Sequence, residues 1–320
     1  MNDLLAYFEQ ELPVINAFLE VETGKLDGLV RDVARYVLLG GGKRIRPVLT
    51  ILSARALGYP GDDVAPLACA LEMLHSATLI HDDILDGAET RRRKTAAHLT
   101  FGATETILAG DALLALANRL GAGYDIPRIN YLLAEGIMAT AAGEIREIAH
   151  VAEARADRGI YLEIIIGKTA RLIETACRCG AALASPEREL EDAAGTYGLN
   201  VGVAFQLVDD ALDYISPESV TGKPEGGDLR EGKLTWPLLL FLEEEPDGSE
   251  VLARIRDKSL DEAARREIVA RVRDKGYADR TRAEAARYVG EAKRALAALP
   301  GSREREILVQ AADFVLARRK

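Results

Sequence analysis

Two copies of one acidic pentad, Asp-Asp-Ile-Leu-Asp at 82–86 and Asp-Asp-Ala-Leu-Asp at 209–213, constrain this chain more than any other feature. Each follows an apolar run, 77–80 in the first case and 205–208 in the second. On an α-helix, residues four apart stack on one face, so Asp82 pairs with Asp86 and Asp209 with Asp213. Carboxylates clustered this densely at the ends of apolar helices repel one another unless cations hold them. Hard divalent cations, Mg²⁺ above all, bind through one or two carboxylates completed by substrate phosphates. The pattern predicts two metal-carrying helices that face each other across a phosphorylated substrate.

The rest of the chain supports helices around that arrangement. Hydrophobic residues make up 48% of the sequence but aromatic residues only 5%, and Ala and Leu dominate over β-branched runs. This composition favours helix over sheet. Leu67, Leu71, Leu74, Thr78 and Leu79 recur at helical spacing, as apolar residues do nearly throughout. Breakers fall as helix punctuation at 40–42, 58–61, 121–123, 185–186 and 246–248. Asp62 or Asp63 is positioned to cap the helix of the first pentad, and Ser259 with Glu262 has the spacing of a capping box. No stretch reads as a linker, so the expected architecture is one all-α domain over 1–320, with ten or more helices around a central cavity.

Charge and cysteine content exclude several classes. A net charge of −10 argues against general nucleic-acid binding. Cys69, Cys177 and Cys179 are too few and too unevenly placed for a disulfide framework, which points to a reducing cytoplasmic compartment. The acidic N-terminus lacks the cationic start of a signal peptide. The uncharged stretch 195–208 falls short of the ~20 residues of a transmembrane span, so a soluble protein with no transmembrane segment is expected.

Basic elements flank the acidic ones. Gly40-Gly41-Gly42-Lys43-Arg44-Ile45-Arg46-Pro47 frees the backbone for close approach and places Pro47 in a first helical turn. A helix start with Lys43 and Arg46 beside it is an anion-binding arrangement, although such a turn also occurs as solvated surface. His75 lies nearly in phase with Asp82, as a diphosphate contact or a satisfied core histidine. Arg91-Arg92-Arg93-Lys94 reads as a solvated charge run in isolation, and as the second half of a phosphate clamp beside the pentad. Lys168, in Gly167-Lys168-Thr169-Ala170, either snorkels at a helix end or points at an anion. Gln206 lies three residues before Asp209, where its amide can reach a substrate oxygen. Residues 216–233 are the one long Gly- and Pro-rich stretch, read as a lid or as a solvated connection.

Taken together, these elements resemble the trans-isoprenyl diphosphate synthases, the polyprenyl synthetase family. The resemblance rests on 41–47, His75, 81–86, Arg91-Arg92, 167–170, 205–213, Gly222-Lys223-Pro224 and 228–237, which run in family order. Arg93 and Thr95 stand where the family commonly shows Gly and Pro. The resemblance implies that Asp82, Asp86 and Asp209 hold Mg²⁺ against the diphosphate of an allylic substrate, supported by Asp83, Asp210 and Asp213. Arg91, Lys168, Lys223 and Lys233 would complete that clamp. Lys43, Arg46, His75 and Arg92 would hold isopentenyl diphosphate, with Thr169 and Gln206 orienting and stabilising the intermediate. It also implies a homodimer.

Leu74, Ala77 and Thr78 precede the first pentad by one to two turns, on the wall a growing chain would follow. Small residues at 77 and 78 point to products longer than geranylgeranyl diphosphate, with geranylgeranyl or farnesyl synthesis as the alternative. A terpene cyclase would lack Lys43, Arg46 and His75 in these roles. A non-catalytic partner subunit would lose aspartates, and all six are present. A di-iron bundle needs two Glu-x-x-His pairs, and only Glu72 with His75 gives one.

Overall fold

The computed structural model describes residues 2–92, 94–216 and 226–318, so Arg93 and Lys223 lie outside the described residues. The first helices are α1 (Asn2–Gly24), α2 (Gly28–Leu38), α3 (Ile45–Ala56) and α4 (Val64–Leu85). A short hairpin, Thr90–Arg91 with Lys94–Thr95, precedes α5 (Ala97–Phe101), α6 (Ala103–Ala122), α7 (Pro127–Glu153) and α8 (Arg158–Ile165). A π-helical turn, Ile166–Ala170, leads into α9 (Arg171–Ala184) and α10 (Arg188–Ile215). The chain continues through α11 (Gly227–Arg230), α12 (Trp236–Glu244), α13 (Gly248–Arg256), α14 (Glu262–Asp274), α15 (Tyr277–Ala295) and α16 (Arg303–Ala317). The fold is all-α, as the composition predicts. The two-residue strands form where Arg92 turns the chain with φ +52°, too briefly to leave an alternating pattern.

Two compact units divide the chain. One comprises Met1–Met138, Leu172–Gly198 and Leu296–Gln310, and the other Ala139–Arg171, Leu199–Ala295 and Ala311–Lys320. In the first, α4 packs against α1, α2, α3, α5 and α6. It is apolar on almost every face, so only a central position satisfies it. Leu67, Leu71, Met73 and Leu74 are fully buried, each worth about 1.5–3 kcal/mol relative to exposure. Length and apolarity alone would let α4 cross a bilayer, but 72% of its most apolar window is buried within the protein, as in a core helix. In the second unit, α12 is the apolar centre and packs against α8, α13, α14 and α15.

Capping is only partly as predicted. Asp63 is the N-cap of α4, yet its carboxylate accepts from the Tyr59 hydroxyl at 2.7 Å and makes no cap bond. Asp261, not Ser259, caps α14, accepting from the Ala264 N–H at 2.8 Å. A carboxylate at the residue just before the helix reaches that N–H directly, whereas the Ser259 hydroxyl donates to the Arg254 carbonyl.

Candidate active site

The first pentad ends α4 in a defined geometry. The Ala88 N–H donates to the Asp83 carbonyl at 2.9 Å and the Gly87 N–H to that of Ile84 at 3.3 Å. This is the Schellman pattern, and Gly87 supplies its left-handed residue at φ +62°. It fixes Asp82 and Asp86 one turn apart, where the negative end of the helix dipole further favours a cation. Asp82 is half-buried and Asp86 exposed. Asp83 faces the other way and is buried, accepting from Arg91 Nε at 2.7 Å. Among the described residues no three His, Cys, Asp or Glu side chains form a ready-made metal cage. A pair of hard oxygen donors open to solvent suits a Mg²⁺ that keeps its other positions for water and phosphate, so Asp82 and Asp86 fit the ion.

In the same unit the glycine-rich turn is held from inside. Gly41 and Gly42 adopt φ +101° and +147°, and Arg44, at the start of α3, has φ +52°. Arg44 is no anion ligand. Its Nη1 donates to Glu72 Oε1 at 2.7 Å, both side chains being 3% exposed, and its Nε donates to Asn16 Oδ1 at 3.2 Å. Glu72 is thus engaged by an arginine rather than by a metal. A Cβ on Gly42 would come within 2.9 Å of the Arg92 guanidinium, which itself donates to the Gly41 carbonyl. Lys43 is exposed beside this turn. Arg46 carries a buried Nε with no partner, and burial pulls its guanidinium down to about 10. Burial, then the charges of Arg46, Arg92, Arg91 and Arg44, hold the His75 imidazole well below its usual value. It therefore offers a neutral hydrogen-bonding ring in a positive field. Asp83, Arg91 and Arg92 line one small cavity with Tyr36, Lys94 and Thr95. Leu74 and Ala77 are fully buried, and the Thr78 hydroxyl donates to the His75 carbonyl at 2.8 Å.

The second unit holds a cavity of about 130 Å³, lined by Glu147, Tyr161, Lys168, Thr169, Gln206, Asp210, Asp228 and Lys233 among others. Glycines bring its walls together. A Cβ on Gly143 would meet Lys168 N at 2.4 Å, and one on Gly202 would meet Ala170 Cα at 2.5 Å. Both α7 and α10 therefore press their backbones onto the π-turn that carries Lys168 and Thr169. Such turns interrupt the regular ladder and recur at functional sites. Thr169 Oγ1 donates to Gln206 Oε1 at 3.0 Å, Gln206 Nε2 to Asp210 Oδ1 at 2.7 Å, and the Tyr161 hydroxyl to Asp210 Oδ2 at 2.6 Å. The sequence grouped Gln206 with Asp209; its hydrogen bond goes to Asp210, a full turn on.

The second pentad shares with the first a buried middle aspartate, but its outer two are engaged differently. Asp210 is buried in this network, and burial raises its carboxyl well above the usual range. Asp209 is half exposed and accepts from Arg318 Nη2 at 2.8 Å. Asp213 accepts the Gly227 and Asp228 backbone N–H groups at 3.2 and 3.1 Å. Burial, followed by Asp210 and Asp213, pushes the Asp228 carboxyl far up. Lys168 sits 2.6 Å from Glu144 and 2.5 Å from Glu147; Lys233 is 2.8 Å from Glu231 and 3.9 Å from Glu147. His150 lines the same cavity with its Nε2 buried and unpartnered.

Sequence reasoning gave no role to Glu144, Glu147, Tyr161, Asp228 or Arg318. Glu144, Glu147 and Val151 share one face of α7 at spacings of three and four, and Asp228 opens the stretch 228–237; these were the local signals.

An all-helical chain with two aspartate-rich helices and separate cationic cradles is built for diphosphate chemistry without a side-chain nucleophile. The model of the family described as Polyprenyl synthetase matches residues 27–272. The octaprenyl diphosphate synthase of Escherichia coli (strain K12) is 36% identical over 239 residues, covering 75% of this chain and 73% of that protein. A crystal structure of a polyprenyl synthase from Caulobacter crescentus CB15, complexed with calcium and isoprenyl diphosphate, superposes with TM-score 0.92 at 37% identity. It covers 100% of this chain and 98% of its own. A decaprenyl diphosphate synthase from Rhodobacter capsulatus follows at TM-score 0.91, 30% identity and coverage of 100% and 99%. The chain belongs to the polyprenyl synthetase family, and it is a prenyltransferase. Members of this family use isoprenyl diphosphates and depend on a divalent metal.

Proposed function

We propose that this enzyme condenses an allylic diphosphate with isopentenyl diphosphate, using Mg²⁺, and releases a trans-polyprenyl diphosphate longer than geranylgeranyl. The observation that carries the reading is the split within each pentad. Asp82 and Asp86 lie outward at the end of α4 and Asp209 is exposed on α10, whereas Asp83 and Asp210 are buried and held by Arg91 and by Gln206 with Tyr161. Mg²⁺ bound there would neutralise the departing pyrophosphate as the allylic C–O bond ionises. Asp82, Asp86 and Asp209 are the proposed metal ligands, with Asp83, Asp210 and Asp213 in support. Arg91, Lys168 and Lys233 complete the allylic diphosphate clamp; Lys223, the remaining member of that set, lies outside the described residues. Lys43, Arg46, His75 and Arg92 hold the isopentenyl diphosphate, the unpartnered Arg46 Nε being a donor already desolvated for it. Thr169 and Gln206 present oxygen atoms that stabilise the carbocation electrostatically. The isopentenyl double bond attacks that cation, and the released pyrophosphate takes the proton lost. The chain is read as one prenyl synthase domain over residues 1–320.

Chain length rests on the α4 wall. Ala77 is 0% exposed and followed by the small Thr78, so neither of these two positions carries an aromatic ring that would stop an elongating tail. The octaprenyl and decaprenyl names of the relatives support the same range. Ala77→Tyr is expected to shorten the products to geranylgeranyl size or below, read by chromatography of the labelled prenols. Unchanged chain length would remove α4 as the wall.

The protein works as a cytoplasmic homodimer in this reading. Three buried free cysteines suit a reducing compartment. Along α7, Tyr131, Ala134, Met138, Ala141, Ile145 and Ile148 follow the alternating three-and-four spacing of a helix–helix seam. Met138 and Ile145 are 62% and 68% exposed, which water disfavours and a second copy would cover. Replacing Ile145 and Ile148 together with Glu should give a monomer by light scattering; an unchanged mass would place the interface elsewhere.

A further inference from the structure

The cavity of the second unit contains more acid than its proposed task asks for. Lys168 and Lys233 are its diphosphate contacts in the reading above, on which this inference rests. Both are already engaged. Lys168 lies between two carboxylates of α7, Glu144 at 2.6 Å and Glu147 at 2.5 Å. Lys233 is flanked by Glu231 at 2.8 Å and Glu147 at 3.9 Å. Among the described residues, Glu147 alone forms ion pairs with both ammonium groups, from a position 18% exposed where water screens it poorly. Burial disfavours both charged lysines, yet Glu147 leads the opposing influences and leaves each ammonium more firmly protonated than usual.

We propose that Glu147 is a positioning residue that takes Lys168 and Lys233 as its own counter-ions and so makes a metal-free diphosphate a poor ligand. Three carboxylates, Glu144, Glu147 and Glu231, stand against two ammonium groups before any substrate arrives. A bare pyrophosphate entering here must displace carboxylates from both lysines and lie against the rest of the acid. A diphosphate that brings divalent cations carries little net negative charge and meets far less opposition. Glu147 thereby selects the metal complex of the substrate over the free anion, and keeps both lysines extended over the cavity in the meantime. Glu144, which reaches Lys168 alone, cannot do this for the pair.

The test is calorimetric binding of inorganic pyrophosphate, in EDTA and in Mg²⁺, to wild type, Glu147→Gln, Glu147→Asp and Lys168→Gln. The amide of Glu147→Gln keeps the side chain's shape and removes its charge. In EDTA it should bind pyrophosphate about tenfold more tightly than wild type, the effect of losing one close charge contact. In Mg²⁺ the advantage should shrink to within about threefold. Glu147→Asp keeps the charge and should stay near wild type in both conditions, which guards against a general loosening of the fold. Unchanged or weaker EDTA binding by Glu147→Gln, with Lys168→Gln weakening both conditions, overturns the role of Glu147 and leaves the lysine assignment standing. Indifference of pyrophosphate binding to Lys168→Gln overturns the assignment itself.

Discussion

Asp82→Asn is expected to lower turnover by at least about 10²–10³-fold, the usual cost of removing one group that stabilises developing charge. Asp82 is a half-buried carboxylate on the last turn of α4, one turn from Asp86 and held there by the Gly87 cap. The amide keeps the shape and its oxygen, so packing and the cap survive while the proposed metal site loses a charged ligand. The loss should fall on kcat, because the pyrophosphate charge to be neutralised grows as the C–O bond breaks. Steady-state kinetics with a fixed excess of isopentenyl diphosphate read this out. A drop confined to KM would mean that Asp82 only helps to bind the ground state. Added Mg²⁺ should recover part of the activity if affinity for the ion is what was lost.

Glu72→Gln is expected to destabilise the first unit by about 3–5 kcal/mol, because it leaves the Arg44 guanidinium buried without its counter-charge. Both side chains are 3% exposed, so little water reaches the pair to soften the loss. The same arginine also holds the Leu38 carbonyl and Asn16 while its own backbone is in the left-handed region. Loosening it frees the turn that presents Lys43 and Arg46. Urea unfolding should therefore show a lower midpoint, and KM for isopentenyl diphosphate should rise more than that for the allylic substrate. Wild-type stability in the variant would show that Arg44 is anchored by its other partners alone.

The features legible in the sequence were the local ones. Helix periodicity, the glycine breaks and the pentad spacing rest on residues within a turn or two of one another, and each of these patterns has a physical reading. What stayed hidden was the choice of partners across the chain. Arg44 finds Glu72 28 residues on, Tyr161 finds Asp210 49 residues on, and Arg318 finds Asp209 across 109. No periodicity encodes such pairings. The π-turn at Ile166–Ala170 was equally invisible, because 164–167 are apolar at consecutive positions, so the phase shift of about 100° from one extra residue leaves no break in the pattern. Its trace lay in Gly143, Gly167 and Gly202, whose missing side chains allow backbones to touch. Ser259 misled for the opposite reason: the pattern was present, but a better acceptor, Asp261, stood two residues later.

In the proposed reaction, paired aspartates and a divalent metal ionise an allylic diphosphate so that isopentenyl diphosphate can add to it. The most direct measurement incubates the purified protein alone with an allylic diphosphate and labelled isopentenyl diphosphate, in Mg²⁺ and in EDTA, and separates the products by chain length. Label in a series of prenyl diphosphates extending beyond geranylgeranyl, present with Mg²⁺ and absent with EDTA, is the predicted result. No label in the lipid fraction with Mg²⁺, or equal label in EDTA, would contradict it.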